Sequence, residues 1–216
     1  MKRYFLSLGL LFFTLSVNAQ YEEREWKKRD QWMDVTGILE ALDLKVGETV
    51  ADLGSHEGYM TLHLAKTVGE KGQVYAVDVV NYKLRQLQRN MKKHKVSNVK
   101  TIHADYDDPK LPESSLDAII IMDTYHEITA YEKVLGHVKA ALKPGARLVM
   151  IEEIDEHRLD DSRADQVKNH DLSINYAREE LEAAGFSIHS EKEHFGEWEN
   201  KKGKRIWLLI ATRPSL

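Results

Sequence analysis

The sequence contains no cysteine among its 216 residues. This absence excludes disulfides, thiolate metal sites and a cysteine nucleophile. The sequence also has no excess of basic residues, since it contains 31 lysines and arginines and 35 acidic residues, with a formal net charge of −4. Such a balance gives no general attraction to nucleic acid, and we expect no nucleic-acid partner. The length suits one domain that can bury its core without covalent cross-links.

Long apolar runs are absent as well, apart from one near the start. The run over 4–17 follows Lys2 and Arg3 and precedes the small residue Ala19. It is shorter than the roughly twenty apolar residues that a membrane-spanning helix needs. The pattern predicts a secretory signal peptide over 1–19, with an uncleaved anchor as the alternative. The mature protein would be periplasmic or secreted, without stable insertion in the membrane.

The remaining chain divides into an arm and a domain. The stretch 20–46 is charged but contains Trp26 and Trp32, which a free tail would not explain. We predict a helical arm here that packs on a domain over 47–216. In the domain, short apolar runs alternate with stretches of helical periodicity. The predicted strands are Thr49–Leu53, Gln73–Val79, Val99–His103, Leu116–Met122, Arg147–Ile151, Phe186–His189 and Arg205–Thr212.

This alternation predicts the fold class. Parallel neighbouring strands need crossover helices, so the pattern indicates an α/β fold with a doubly wound, Rossmann-like, mostly parallel sheet of seven strands. Helices would cover both faces, as the continuous apolar run "LDAIIIM" of the fourth strand requires. No helical pattern separates the last two strands. They are therefore expected to form an antiparallel hairpin at one edge.

A turn with two glycines follows the first predicted strand, within "ADLGSHEGYMTLHLA" over 51–65. In doubly wound sheets, ligands bind beyond the carboxyl ends of the strands, where Asp52 lies. Gly54 and Gly58 permit unusual dihedral angles, and the helix that follows presents its N-terminus. Asp78 ends the second strand, where a carboxylate can accept hydrogen bonds from both ribose hydroxyls. The layout predicts a site for a nucleotide-like ligand.

Several segments of the chain resemble a known family. They are "VADLGSHEGYMTLHLA", "VYAVDV", "HADYDDPKLPESSLDAIIIMDTYHEI", "ALKPGARLVMIEE" and "ELEAAGFSI", which together cover most of 50–188. These segments are similar to class I S-adenosylmethionine-dependent methyltransferases, and "RDQWM" resembles the arm of one branch of that family. The resemblance implies S-adenosyl-L-methionine as the cofactor and an antiparallel last strand in the sheet.

The resemblance also implies which residues bind the cofactor. These are Asp52 and Gly54 at its amino-acid end, Ser55, His56 and Gly58 in the turn, Asp78 at the ribose, Asp105 and Tyr106 at the adenine, and Asp123 near the methionine moiety. His56 departs from the family, which commonly has glycine there. Its side chain would crowd the cofactor, alter the turn or point to solvent. A dinucleotide pyrophosphate needs a closer approach of the backbone, so His56 also argues against a nicotinamide cofactor.

The segment "DTYHEI" follows the fourth strand, which in this family faces the transferred methyl group. Methyl transfer mainly requires alignment and exclusion of water, and a base only where the acceptor must lose a proton. His126 is the candidate base because its unperturbed pKa is about 6.5. Tyr125 is the candidate for contact with the substrate or the sulfonium. The alternative is that Tyr125, His126 and Glu127 only cap the next helix and bond to neighbouring loops.

A resident metal is not predicted. The acidic residues and His157 that follow the fifth strand, over 152–157, have no fixed ligand spacing. We therefore expect a methyltransferase that acts on a small molecule, because the arm and the loop over 155–171 would form only a small lid. The alternative is a non-catalytic binding protein that retains the fold. His56 and the signal peptide favour this alternative, since the cofactor is made in the cytoplasm. The acceptor and the oligomeric state stay open.

Overall fold

The computed structural model describes residues 25–215, which form one seven-stranded sheet flanked by helices. The strands, in the spatial order β3-β2-β1-β4-β5-β7-β6, are β1 Thr49–Leu53, β2 Gln73–Asp78, β3 Val99–His103, β4 Leu116–Met122, β5 Leu142–Asp155, β6 Ser187–Glu197 and β7 Lys204–Thr212. The helices are α1 Trp26–Arg29, α2 Val35–Leu42, α3 Tyr59–Val68, α4 Asn81–Lys93, α5 Tyr131–Ala141, α6 Arg163–Lys168 and α7 Ile174–Ala183. The strands β1 to β5 pair in parallel, whereas β7 runs antiparallel to both β5 and β6. The predicted fold class and the edge hairpin are confirmed.

The central strand β4 is apolar on both faces because helices cover both faces of the sheet. Ile119 and Ile121 belong to one buried cluster together with Leu135 of α5. Ile120 points to the opposite face, where it belongs to a second cluster with Leu64 of α3. Successive side chains of a strand alternate between faces, so a strand between two helical layers has no polar side.

The strand β5 is longer than the predicted Arg147–Ile151. It continues to Asp155 because β7 pairs with it along this whole stretch. Glu152 and Glu153 look like the start of a loop in the sequence, yet both side chains are buried in the strand. Glu153 pairs with Lys204 of β7 at 2.6 Å. A buried carboxyl group is tolerated in a strand where such a partner lies beside it.

The arm packs on the domain through its aromatic residues. Trp32 lies against Trp198, with ring centroids 4.8 Å apart, and Trp26 packs edge-on against Tyr59 at 6.0 Å. These contacts agree with the expectation drawn from the two arm tryptophans. The short helix α1 therefore sits over the start of α3, beside the carboxyl end of β1.

Two of the predicted segments lie outside the described residues. They are the signal peptide over 1–19 and the beginning of the arm over 20–24. Within 25–215, the structure contains no helix with the length and apolar character needed to cross a bilayer.

Candidate active site

A cleft opens at the carboxyl ends of β1, β2 and β4. The strand β1 lies between β2 and β4, so the chain order of the strands reverses at this position. Doubly wound sheets bind their ligands at such a reversal point. Eight of the residues predicted to bind a cofactor line this cleft, namely Asp52, Gly54, Ser55, His56, Asp78, Asp105, Tyr106 and Asp123. The lining does not include Gly58, Tyr125 or His126.

The two glycines of the turn after β1 serve different purposes. Both have a positive φ, 85° at Gly54 and 97° at Gly58, where other residues are strained. A Cβ at Gly54 would lie 2.1 Å from Oγ1 of Thr124, so this glycine allows the turn to approach the loop after β4. A Cβ at Gly58 would lie 2.1 Å from Cδ1 of Leu87. Gly58 therefore allows α3 to pack on α4, and it does not line the cleft.

The helix α4 also holds the turn through polar contacts that the sequence did not reveal. Nδ2 of Asn90 donates a hydrogen bond to the backbone oxygen of Glu57 at 3.0 Å. Nζ of Lys83 lies 3.1 Å from Oε1 of the same buried glutamate. Residues far apart in the chain thus fix the backbone that forms one wall of the cleft.

Asp78 fixes the turn and faces the cleft. Its Oδ2 accepts a hydrogen bond from the backbone N–H of His56 at 2.8 Å, and its Oδ1 accepts one from that of Val80 at 2.7 Å. Burial raises the pKa of Asp78, and these two hydrogen bonds oppose the rise. A carboxylate offers about four acceptor positions, so Asp78 retains capacity for the two hydroxyls of a ribose.

His56 forms part of the cleft wall rather than pointing to solvent. Burial lowers the pKa of His56 to about 3, so the imidazole is neutral at physiological pH. Its Nε2 and the Oγ of Ser55 are buried atoms without a hydrogen-bond partner among residues 25–215. Buried polar groups are usually satisfied, and two orphaned ones on the wall of one cleft therefore fit a polar ligand.

Asp52 lies at the end of β1, at the bottom of the cleft. It is buried and accepts a hydrogen bond from Oγ1 of Thr61 in α3. Burial raises the pKa of Asp52 to about 6, although the hydrogen bond from Thr61 opposes this rise. The carboxyl group therefore changes its charge just below neutral pH.

The opposite rim of the cleft is more exposed. Asp105 forms an ion pair with Lys110 at 2.9 Å, and the side chain of Tyr106 is largely open to solvent. Both residues follow β3, where the resemblance places the adenine. An exposed aromatic ring at this rim is free to lie against a planar base.

Arg29 of the arm also lines the cleft, although no pattern in the sequence predicts this role. Its Nη2 lies 4.0 Å from Oδ2 of Asp123, and its guanidinium lies over the ring of Tyr59 at 4.7 Å. Burial raises the pKa of Asp123 to about 7, while the positive charge of Arg29 opposes the rise. Lys27 and Lys28 beside it are exposed. The sequence alone does not show which of these three adjacent basic residues faces the cleft.

Tyr125 does not contact the cleft, so its predicted contact with the substrate or the sulfonium does not fit the structure. The short 3-10 helix Tyr125–Glu127 turns Glu127 towards the cleft and Tyr125 into the core. The tyrosine ring is fully buried, and its hydroxyl donates to Oε2 of Glu180 at 2.6 Å. This arrangement matches the alternative in which Tyr125 bonds to neighbouring structure.

His126 lies behind the wall of the cleft, with only 4% of its surface exposed. Its Nδ1 is 2.8 Å from Oε2 of the fully buried Glu152. Burial alone would lower the pKa of His126, but the charge and hydrogen bond of Glu152 raise it to about 9. The ring of His126 also does not line the cleft, where an acceptor would lie. The predicted role as a general base therefore does not fit, and the contact with Glu152 anchors the loop after β4.

A family model described as a methyltransferase domain matches residues 44–203. The chain belongs to the class I S-adenosylmethionine-dependent methyltransferases. This family uses S-adenosyl-L-methionine as its cofactor, and the orphaned polar atoms of Ser55 and His56 are compatible with such a ligand. The family predicted from the sequence segments is confirmed.

Curated relatives of this methyltransferase include a named enzyme of quinone biosynthesis. The ubiquinone/menaquinone biosynthesis C-methyltransferase UbiE of Citrobacter koseri is 30% identical over 130 residues, which are 60% of this chain and 49% of the relative. The protein of the same name from Yersinia enterocolitica shows the same identity and coverage. The chain therefore spans about half the length of the curated relatives that it matches.

Solved structures agree with the fold. A SAM-dependent methyltransferase from Aquifex aeolicus superimposes with a TM-score of 0.72 at 27% identity, covering 89% of this methyltransferase and 99% of that chain. Phosphoethanolamine N-methyltransferase 2 of Haemonchus contortus, solved with S-adenosyl-L-methionine, has a TM-score of 0.70 at 16% identity, covering 92% and 59% of the two chains. The [4+2]-cyclase SpnF has a TM-score of 0.71 at 16% identity over 84% and 80%. These last two likenesses concern the fold alone.

The binding of S-adenosylhomocysteine by this methyltransferase is expected to weaken as the pH falls below about 6. The resemblance places the ammonium of the cofactor's amino-acid end near Asp52, whose ionised form attracts it. Because the pKa of Asp52 is raised to about 6, protonation removes this attraction between pH 7 and pH 5. The affinity should fall by about tenfold across this interval. Isothermal titration at several pH values measures it, and Asp52→Asn should flatten the profile; an unchanged slope in that variant would exclude Asp52.

The replacement Tyr125→Phe is expected to lower stability without changing cofactor affinity. It removes the hydrogen bond to Glu180, a loss of about 1–2 kcal/mol in the free energy of unfolding. Glu180 keeps its ion pair with Arg163, so its charge stays compensated. Urea denaturation measures the loss. If a folded variant bound S-adenosylhomocysteine more weakly, Tyr125 would instead belong to the binding site.

Proposed function

We propose that this protein transfers the methyl group of S-adenosyl-L-methionine to a small-molecule acceptor. One observation carries the proposal: Asp52 and Asp78, at the ends of adjacent strands, line a single cleft with the Gly54 turn between them. This arrangement suits a ligand with a sugar and a charged amino-acid end. Bound in the cleft, the sulfonium supplies an activated methyl group and a good leaving group.

The residues of the chain then mainly position the reactants and exclude water. Trp26 and Arg29 of the arm form one side of the cleft, and Thr124 and Glu127 form the side that follows β4. An acceptor held between these sides would have its reacting atom aligned with the methyl group. If that acceptor must lose a proton, Asp123 and Glu127 are the carboxylates that face it, whereas His126 lies behind the wall.

A small acceptor is supported by two observations. Besides the strand ends, residues of the arm and of the loop after β4 line the cleft. No residue of the loop over 155–171, predicted to form part of a lid, lines it, and 25–215 hold no added substrate domain. The curated relatives are named for C-methylation in ubiquinone and menaquinone biosynthesis. Both favour a small molecule over a macromolecule as the acceptor.

Titration calorimetry of the mature protein with S-adenosylhomocysteine tests the proposal. We expect saturable heat at one site per chain, and no stabilisation by NAD in a thermal-shift assay. Absence of heat from a protein that circular dichroism shows to be folded would favour the alternative of a non-catalytic protein that retains the fold. That alternative is relevant because a cyclase shares this fold. Protection by NAD would instead support an oxidoreductase.

We also propose that the protein is exported to the periplasm or secreted. The support is the sequence of 1–19, with its basic start, apolar core and small residues before Gln20. N-terminal sequencing of the protein recovered from the periplasmic fraction should begin at Gln20. A retained Met1 on a membrane-bound protein would indicate an uncleaved anchor, and a cytoplasmic protein would reject export.

A further inference from the structure

Two histidines and a glutamate meet beside the cleft, where the loop after β4 approaches the loop between α6 and α7. They are His126, Glu127 and His170, and one nitrogen or oxygen of each lies within 4.8 Å of those of the other two. Nε2 of His126 lies 4.0 Å from Oε1 of Glu127. The rings of His126 and His170 are 5.6 Å apart and nearly perpendicular. The two loops are distant in the sequence, so no motif with a fixed spacing connects these residues.

A fourth residue orients His126 from behind. Oε2 of Glu152 holds Nδ1 of His126 at 2.8 Å, while Oε1 accepts a hydrogen bond from the backbone N–H of Thr124 at 2.8 Å. Glu152 is fully buried, so this orientation is fixed by the strand β5. In metalloproteins, a ligating histidine typically donates its other ring N–H to a carboxylate, which sets the tautomer and the direction of the ring. Nε2 of His126 is thereby directed at Glu127 and His170.

We propose that His126, Glu127 and His170 bind a divalent transition-metal ion, with zinc the best match, and that Glu152 is the residue that positions His126. Two imidazoles and one carboxylate form a ligand set that zinc uses when a fourth position stays open. Magnesium and calcium prefer oxygen ligands alone, so two imidazoles disfavour them. The bound ion would take the place of the proton on Nε2 of His126.

The side chains need only a small movement to close around an ion. Zinc binds these ligands at about 2.0–2.1 Å, which places neighbouring ligand atoms roughly 3.4 Å apart. The present separations lie within 4.8 Å, and that between Nε2 of His126 and Oε1 of Glu127 is 4.0 Å. His126 is fixed, whereas Glu127 and His170 are exposed and can rotate towards it. A second group, Asp123, His126 and Glu152, is also close together, but Glu152 in it already serves two backbone N–H groups and the ring of His126.

The location of the site gives it access to the cleft. Glu127 lines the cleft, and Asp123 lies within the same 4.8 Å of His126. The open position of the ion would thus lie beside the loop after β4. The proposal concerns metal binding alone and does not depend on methyl transfer.

Metal binding by the full mature chain, with any affinity tag removed, tests the proposal. We expect titration calorimetry with zinc chloride and elemental analysis after dialysis to find one zinc per chain. His170→Ala and Glu127→Gln alter exposed side chains, so both variants should fold, and each should lose at least the roughly 10- to 100-fold in affinity that even outer-shell changes cost. His189→Ala is the matched control, because His189 is an exposed histidine of β6 outside this group, and its affinity should be unchanged.

Cobalt substitution gives a second measurement that a structural role would not affect. The cobalt-loaded protein should show the intense visible absorption of a four-coordinate ion, and His170→Ala should lose it. Absence of stoichiometric zinc from the folded wild-type protein would overturn the proposal. So would equal zinc affinities of His170→Ala and the wild-type protein. Either result would leave the binding of S-adenosylhomocysteine unaffected, so the two proposals fail separately.

Discussion

The replacement Asp78→Ala is expected to weaken the binding of S-adenosylhomocysteine by roughly 5- to 150-fold, on the order of 1–3 kcal/mol. Two effects combine at this position. The variant loses the carboxylate that would accept the ribose hydroxyls, and it frees the backbone N–H groups of His56 and Val80 that Asp78 now holds. The turn that lines the cleft would then lose part of its fixed conformation before the ligand binds. Titration calorimetry measures the affinity.

Asp107→Ala is the matched control for this experiment. Asp107 is an exposed acid of the same domain that pairs with Lys133 outside the cleft. Its removal changes the net charge by the same amount, and we expect the affinity to stay within about twofold, because exposed ion pairs contribute little. Equal affinities of the Asp78 variant and this control would show that Asp78 does not take part in binding. A thermal unfolding scan of each variant confirms that the comparison is between folded proteins.

The fold was predictable because its signals are local. The bounds of β1 and β4 agree with the predicted strands, since each is a short apolar run in the sequence. The strand β5 was predicted too short because Glu152 and Glu153 look exposed in the sequence. Their burial depends on Lys204 and on the backbone after β4, which are partners from distant parts of the chain. Local pattern cannot show a charge that a distant residue compensates.

Some residues of the candidate site were likewise predictable from the sequence, and others were not. Asp52 and Asp78 were predictable because the end of a parallel strand fixes where the next side chain lies. Tyr125 and His126 were assigned to the cleft because they follow β4, but a short 3-10 helix decides which of its side chains face inwards. The sequence does not show which of these side chains point towards the cleft. The sequence also does not show that His170 lies near His126, since only the folded loops bring the two rings together.

The replacement Gly54→Ala is expected to have the largest effect on stability, a loss of about 2–5 kcal/mol in the free energy of unfolding. At a φ of 85° a Cβ is strained in any surroundings, and here it would also lie 2.1 Å from Oγ1 and 2.7 Å from Cβ of Thr124. Thr124 cannot easily yield. Its hydroxyl donates to the backbone oxygen of Met122 at 3.0 Å, and its N–H is held by Glu152. The strain must then spread into the cleft, so cofactor binding should fall as well.

Gly136→Ala separates this effect from the general consequence of replacing a glycine. Gly136 lies in α5, is exposed, and a Cβ there would have no atom within 4 Å. Alanine restricts the unfolded chain and favours the helix, so this variant should gain about 0.5–1 kcal/mol. Urea denaturation of both variants gives the two free energies. Opposite signs would show that the cost belongs to the strained, closely packed position of Gly54 and not to the loss of a glycine as such. A neutral Gly54→Ala would mean that the turn and the loop after β4 can move apart, and that the cleft between them is not fixed by this contact.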